Sequence, residues 1–255
     1  MSFALIAIYL SAFGQLPFEQ YIYVLAIALS STILSDLVIS YVRKRKLFIP
    51  HAAVVTGMIL ILLVDPTLAW YKIVAIAFIA MAIKNFIRIN NKHIFNPAAS
   101  GLLMGGLIFG VNASWWGTSF QYSSNFTIQT LILYVILLLP LYISAYRMRR
   151  YYSILSFLIS YIVLITISLG NFALNTLSFT LFNPTIIFFS LVMLPEPLTS
   201  PSDKHKQILY GVTVSVLTFL LGSRFLVDLG IVQGLASIDV FIMSLLIANL
   251  IFFKK

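Results

Sequence analysis

Long apolar runs dominate this chain and leave few folds open to it. Ten of them follow one another with short polar stretches between, at residues 3–16, 20–42, 50–64, 68–87, 97–110, 128–146, 151–169, 178–195, 207–223 and 236–253. Charged residues make up 9% of the chain, whereas soluble domains carry about 25%. We therefore predict an all-α polytopic membrane protein with about ten transmembrane segments, forming a single membrane domain over residues 1–255.

Several of these segments are short for a membrane crossing. A straight transmembrane helix needs roughly 20 residues, and the first, third and fifth segments fall below this length. Interrupted helices occur where protein or a polar cavity receives the freed backbone groups. Three segments open on proline, at Pro50, Pro97 and Pro184, which suits the first turn of a helix. We therefore expect short, proline-capped half-helices among the ten segments.

The basic residues predict the orientation of the chain. Its net charge is +9, and with a cytoplasmic N-terminus all of its 16 Lys and Arg residues except Lys72 and Arg224 fall at cytoplasmic ends. Cytoplasmic loops carry this bias, so the charge indicates a lipid bilayer rather than nucleic acid as partner. We expect a multi-pass protein of the cell (inner) membrane with both termini cytoplasmic. The chain has no cysteine and its three histidines lie far apart, so no metal site is expected.

Two apolar segments share a pattern that indicates an internal repeat. "LFIPHAAVVTGMILILLVDPT" and "LFNPTIIFFSLVMLPEPLT" both begin Leu-Phe-x-Pro and both end on an acid followed by proline, at Asp65 and Glu196. They are the third segment of each half, and the two halves run in opposite directions. Proline-interrupted segments at equivalent positions point to a binding site between inverted repeats. We predict two inverted five-helix repeats, about residues 1–110 and 127–255.

Two helix starts carry asparagine before proline. Asn96 and Asn183 precede Pro97 and Pro184 and suit the N-cap position. Helix N-termini present free N–H groups and a positive dipole end, so they can bind phosphate, carboxylate or the electron-rich edge of a flavin. Simple capping of a buried helix is the alternative. Ser100 lies in the small-residue stretch 96–110, which serves either close helix packing or the admission of a flat ring.

The rare acidic residues provide further candidates. Glu196 stands beside Thr199, Ser200 and Lys204, in a stretch that could bind a phosphate or be an ordinary basic loop. Asp36 within the second segment and Asp65 at the end of the third are candidates for an ion pathway. An ionisable side chain inside a membrane is expensive and therefore indicates function by default. Pairing of Asp36 with a neighbouring helix is the alternative.

Three stretches resemble the NqrB/RnfD family. They are "KHIFNPAASGLLMGGLIFG", "IPHAAVVTGMILILLVDP" and "LVMLPEPLTSPSDKHKQILYG". This family contains membrane subunits of sodium-pumping NADH:quinone oxidoreductase and of Rnf electron-transport complexes. The resemblance implies ten helices in two inverted five-helix repeats, a bound flavin, and other membrane or cytoplasmic redox subunits as partners. The family positions that carry over are Asn96, Pro97, Glu196, Pro197, Thr199, Ser200 and Pro201.

One family motif is missing from this chain. The family typically attaches FMN to the threonine of a Ser/Asp-Gly-Ala-Thr sequence, and no Gly-Ala-Thr occurs here. The resemblance therefore implies a non-covalent flavin, FMN or riboflavin, in a compact family member. If redox chemistry occurs, a cofactor must carry it, and the chain would be an oxidoreductase or translocase subunit rather than a self-sufficient enzyme. The alternatives are a non-redox transporter or channel for a small solute or ion on the same fold, and a structural scaffold.

Overall fold

The computed structural model describes residues 1–12, 15–44, 50–90, 92–118, 128–169, 183–223 and 239–253. Within these ranges the chain forms ten α-helices, which are α1 Ser2–Ser11, α2 Phe18–Val42, α3 His51–Leu63, α4 Trp70–Phe86, α5 Pro97–Phe109, α6 Ile128–Arg147, α7 Tyr151–Leu169, α8 Pro184–Phe188, α9 Lys204–Gly222 and α10 Val240–Ile251. The remaining elements are a hairpin of β1 (Arg88–Ile89) and β2 (Lys92–His93), a 3₁₀ turn at Trp116–Thr118, and a π-turn at Phe189–Met193 that continues α8. The chain is therefore mostly helical, as predicted.

The ten helices occupy the ten predicted apolar segments. Parts of those segments lie outside the described ranges, namely residues 13–14, 178–182 and 236–238, and so do basic residues 45, 46, 224, 254 and 255. By length and composition, Phe18–Val42 and Tyr151–Ser168 are long and apolar enough to cross a membrane. Shorter apolar helices include α3, α5 and α10. The 13 residues of α3 span only about 20 Å, against roughly 30 Å for the hydrocarbon core.

Two short helices lie at the centre of the molecule. Every residue of α3 from Thr56 to Leu63 is buried. Ile186 to Phe188 of α8 are likewise buried, and so is most of the π-turn. Because a helix that is apolar all round must be covered on every side, the longer helices pack around these two. The buried side chains of these two helices and of the helices around them form the hydrophobic core.

Large apolar side chains also cover much of the outer surface. Ile167 is 72% exposed, Val42 69% and Phe18 65%. A soluble monomer rarely shows contiguous apolar patches of this extent. The exposed apolar side chains on α2 and α7 are what a lipid environment requires.

The pairing of helices in the first half recurs in the second. In the first half α2 packs against α3 and α4, α4 packs against α5, and α1 packs against α3. In the second half α7 packs against the π-turn and α9, α9 packs against α10, and α6 packs against the π-turn. Between the halves, α1 meets α6 and α5 meets α10. The pairings of α1 with α3, α2 with α3, α2 with α4 and α4 with α5 thus each have a counterpart in the second half.

Small residues allow α5 to approach α4 closely. A Cβ atom at Gly101 would lie 2.7 Å from the Cβ of Ala80 and 2.8 Å from the backbone oxygen of Ile76. At Gly105 it would lie 2.7 Å from the side chain of Ile76. These distances leave no room for a side chain, so the small-residue stretch serves close helix packing here.

Candidate functional site

A hydrogen-bond contact joins two distant stretches of the sequence. The β1–β2 hairpin pairs Arg88 with His93 and ends three residues before the α5 N-cap. His93 is 3% exposed, and its Nε2 lies 3.0 Å from Oε1 of Glu196, 103 residues away. Glu196 follows the π-turn, at the inner end of the eighth segment in the predicted topology. The two stretches with the strongest family resemblance therefore meet at this contact.

The turn after the π-turn holds Glu196 in place. The backbone oxygen of Glu196 accepts hydrogen bonds from the Ser200 N–H at 2.9 Å and the Ser200 hydroxyl at 2.7 Å. The Thr199 hydroxyl donates to Oε2 of Glu196 at 3.3 Å. Thr199 and Ser200 are both buried. The Thr199 hydroxyl therefore orients the Glu196 carboxylate, while Ser200 holds the backbone of the same residue.

An arginine from the α6–α7 junction braces the same turn. Arg150 donates from Nε to the Ser200 hydroxyl at 3.0 Å and from NH2 to the Pro197 carbonyl at 3.3 Å. Its side chain is buried, and this burial lowers the pKa of the guanidinium from its ordinary value. Arginine remains charged in proteins, so the positive charge of Arg150 lies beside the turn that contains Glu196. In the sequence, Arg150 indicates only the orientation of the chain, and no motif marks it as part of a site.

The first turn of α5 satisfies its own polar groups. Oδ1 of Asn96 accepts the Ala99 N–H at 3.0 Å, and the Asn96 carbonyl accepts the Ser100 N–H at 2.9 Å. The Ser100 hydroxyl donates to the Pro97 carbonyl at 2.9 Å. Pro97 occupies the first helical position, where it has no N–H to offer. In this structure Asn96 therefore acts as an N-cap, the capping role that the sequence left open.

Asn183 caps α8 in the same way. Its Oδ1 accepts the N–H groups of Thr185 at 3.0 Å and Ile186 at 3.4 Å, and its carbonyl accepts the Ile187 N–H at 3.0 Å. Pro184 follows it at the first helical position. These hydrogen bonds use the first-turn donors that an anion would need. Asn183 lies at the opposite end of α8 and the π-turn from Glu196.

Lys204 points toward α7. Its Nζ lies 4.8 Å from the centroid of the Tyr152 ring. Asp203, the N-cap of α9, accepts the Lys206 N–H at 3.1 Å. This backbone hydrogen bond lowers the pKa of Asp203 below its ordinary value. The loop therefore ends in an ordinary capped helix with basic residues around it.

The two ion-pathway candidates both have partners. Asp36 is 1% exposed and contacts Lys84 Nζ at 3.0 Å and Asn85 Nδ2 at 2.8 Å. Asp65 accepts from the N–H and the hydroxyl of Thr67 at 2.8 and 2.7 Å. Asp36 thus joins α2 to α4, which is the helix pairing that the sequence left open. Asp65 stabilises a local turn.

The predicted site residues fall into separate groups. The structure gathers Glu196, Thr199 and Ser200 in one turn, and His93 connects this turn to the start of α5, where Asn96, Pro97 and Ser100 lie. Asn183 and Lys204 make contacts elsewhere. His93 was missed by sequence analysis, although its place three residues before Asn96 in a family-like stretch was an available signal.

Several buried polar atoms of the described residues have no hydrogen-bond partner. Nδ1 of His93 belongs to this contact, and Nδ2 of Asn249 lies on α10. Tyr210, on α9, donates to Oδ1 of Asn249 at 2.7 Å. Because buried polar atoms are normally satisfied, each of these two atoms marks a position where a polar ligand or water could bind.

The cavities formed by described residues include two that no predicted site residue lines. One of about 10 Å³ lies between α5 and α10, beside Gly106 and Asp239. It can hold no more than one water molecule. The other is a groove of about 550 Å³ on the outer face of α7 and α9.

A second polar contact lies beside the smaller cavity. Trp115 donates from Nε1 to Oδ2 of Asp239 at 2.5 Å. Asp239 is the N-cap of α10 and accepts the N–H groups of Phe241 and Ile242 at 2.9 and 3.0 Å. Trp115 thereby fastens α10 to the segment after α5. Asp239 was also missed, although an acid directly before an apolar run is a recognisable N-cap signal.

Comparison with known proteins assigns the chain to a family. The model of the NQR2, RnfD, RnfE family matches residues 1–250. No curated protein sequence matches the chain. The family is one of membrane proteins, and it comprises subunits of Rnf- and Nqr-type electron-transport complexes. The resemblance predicted from the sequence is confirmed: this chain belongs to the NQR2, RnfD, RnfE family.

Proposed function

We propose that the chain is the membrane subunit of a flavin-dependent, Rnf/Nqr-like electron-transport complex. It holds a non-covalent flavin, FMN or riboflavin, between its repeats and passes electrons to or across the membrane, with possible coupling to ion movement. The observation that carries the proposal is the contact between His93 and Glu196. It joins the two family-like stretches, and neither stretch needs this contact to form its own helix.

The helix pairing supports two inverted repeats. Four helix pairings among α1–α5 have counterparts among α6–α10 and the π-turn, and the contacts α1–α6 and α5–α10 join equivalent helices. This is what a pseudo-two-fold axis between repeats would produce, and such folds place their binding sites at the repeat interface. The ten crossings and the cytoplasmic termini belong to the same proposal.

The chemistry of the unpaired His93 nitrogen fits a flavin. The pyrimidine edge of the ring has both donors and acceptors, and Nδ1 of His93 is a buried atom without a partner that can meet it. Glu196 would set the tautomer and orientation of His93 through Nε2. A bound flavin would supply the electron transfer that these side chains cannot carry out. The residues of this chain bind and orient the ring and exclude water from it.

Absorbance of the purified protein tests the proposal. We expect a visible flavin spectrum that dithionite bleaches, and release of free flavin on denaturation because the chain lacks the Gly-Ala-Thr motif of covalent attachment. His93→Ala and Glu196→Ala should lower the flavin content severalfold, while the exposed neighbour Lys92→Ala should leave it unchanged. Protein without flavin absorbance that also fails to bind added FMN or riboflavin would refute the proposal.

The same preparation addresses the non-redox alternative. If the purified protein carries no chromophore but moves a solute or ion across the membrane of liposomes, this result would support a transporter or channel. The structure offers less for this function, because the carboxylates of Asp36 and Asp65 are already engaged by Lys84, Asn85 and Thr67.

A further inference from the structure

The groove on α7 and α9 opens outward and is apolar along its length. Its walls include Leu155 and Ile159 of α7, which are 53% and 62% exposed, and Ile208 and Val216 of α9, which are 37% and 36% exposed. Between the lining residues Ile208 and Val212, Gly211 allows α9 to approach α7 closely, because a Cβ atom there would collide with the backbone oxygen of Ser153.

The two serines that line the groove do not offer their hydroxyl hydrogens to a ligand. The Ser156 hydroxyl donates to the Tyr152 carbonyl at 2.7 Å. The Ser160 hydroxyl donates to the Ser156 carbonyl at 2.5 Å. Both serines therefore turn their hydrogens back onto their own helix, and the surface they leave in the groove suits hydrocarbon.

The dimensions of the groove match one acyl chain. From Tyr152 to Leu164 along α7, both of which line it, the groove is about 18 Å long at 1.5 Å per residue. One leaflet of the hydrocarbon core is about 15 Å thick. Its volume of about 550 Å³ leaves room for an extended chain along that length.

Positive charge gathers at the cytoplasmic end of the groove. Tyr152 lines that end, and Nζ of Lys204 lies 4.8 Å from its ring centroid. Lys206 and Arg149 are exposed nearby in the chain. Asp203 is the acid in this stretch, and its carboxylate accepts the Lys206 N–H. The apolar groove matches the acyl chain of an anionic lipid in length, and the cations at its end match the charged headgroup.

We propose that this groove binds an anionic glycerophospholipid of the cytoplasmic leaflet. One acyl chain occupies the furrow between α7 and α9, and the phosphate lies beside Lys204 and Tyr152. The site is separate from the His93–Glu196 contact and does not depend on a flavin.

Lipid retention by the full chain tests this site. Protein purified in mild detergent is exchanged into phosphatidylglycerol or phosphatidylcholine, and retained lipid is counted by native mass spectrometry. We expect preferential retention of phosphatidylglycerol, and an approximately fivefold loss of that preference in Lys204→Ala, since one basic residue near an anionic surface is worth about 1 kcal/mol. Val163→Trp fills the groove and should abolish retention of either lipid at this site. The matched controls are Lys92→Ala, another exposed lysine, and Val38→Trp, another exposed valine.

A photo-crosslinking residue at position 159 identifies the occupant directly. We expect adducts with lipid in membranes. Equal retention of both lipids by the wild-type chain, identical behaviour of Val163→Trp and Val38→Trp, or a protein adduct from Ile159 in place of a lipid adduct would each overturn the proposal.

Discussion

The buried contact between Asp36 and Lys84 allows a sharp test of what Asp36 does. If it joins α2 to α4, removing either charge leaves the other uncompensated inside the protein. Asp36→Asn keeps the shape of the side chain and removes its charge, and Lys84→Met keeps most of the lysine stem. The double variant Asp36→Asn/Lys84→Met leaves neither charge. An ion pathway makes a different prediction, because its carboxylate could be neutralised without loss of stability.

The structure sets the size and the order of these effects. Breaking a buried ion pair from one side destabilises by about 3–5 kcal/mol. Lys84 lies in the last turn of α4, with its side chain 10% exposed, so in Asp36→Asn its ammonium can extend toward water. Asp36 is 1% exposed and has a short side chain, so Lys84→Met should destabilise more. At about 2–4 °C per kcal/mol, the apparent Tm of the single variants should fall by about 6–20 °C.

A double-mutant cycle on the purified protein measures the coupling. We expect the double variant to lose about 2 kcal/mol less than the sum of the two single losses, as residues in contact do. Asp65→Asn is the control, because its carboxylate lies in a local turn with Thr67 and its loss should stay below about 1 kcal/mol. If the two single losses sum to the loss of the double variant within about 0.5 kcal/mol, the contact between Asp36 and Lys84 does not hold α2 to α4.

Three further substitutions test the packing and capping of α5 and α10, each by thermal unfolding followed with circular dichroism. Gly101→Ala should lower stability by about 1–3 kcal/mol because the new methyl group collides with α4, whereas Gly222→Ala, with nothing within 4 Å, should not. Trp115→Phe removes the hydrogen bond to Asp239 and should lose about 1.5–3 kcal/mol. Asn96→Ala removes the α5 cap and should lose about 0.5–2 kcal/mol. An unchanged unfolding temperature in any of the three destabilising variants would contradict the close packing or the hydrogen bond on which its prediction rests.

Helix positions could be predicted from the sequence because local chemistry determines them. The fifth segment was expected at residues 97–110, and α5 spans Pro97–Phe109. Pro97 suits the first helical position, and Gly110 adopts a left-handed φ of 64° that ends the helix. Each signal acts within a few residues, so no knowledge of the fold was needed. The first residues of α8 follow from the same Asn-Pro signal at position 183.

The assembly of the candidate site could not be predicted in this way. His93 and Glu196 are 103 residues apart, and neither stretch carries information about the distance to the other. Arg150 has the same sequence context as the basic residues around it, and only the fold makes it a support for Pro197 and Ser200. Family resemblance named both stretches as important, but it did not say that they touch.

The π-turn at Phe189–Met193 gives the central helix an unusual tolerance. The Leu194 N–H donates to the carbonyl of Phe189, five residues earlier, so this turn contains one residue more than an α-turn. Deleting one residue here would restore an ordinary α-turn and leave both ends of the helix facing their present partners. The same deletion within α9 would rotate everything after it by about 100°. Residues 189–193 are therefore where the chain can change its length by one without separating Glu196 from His93.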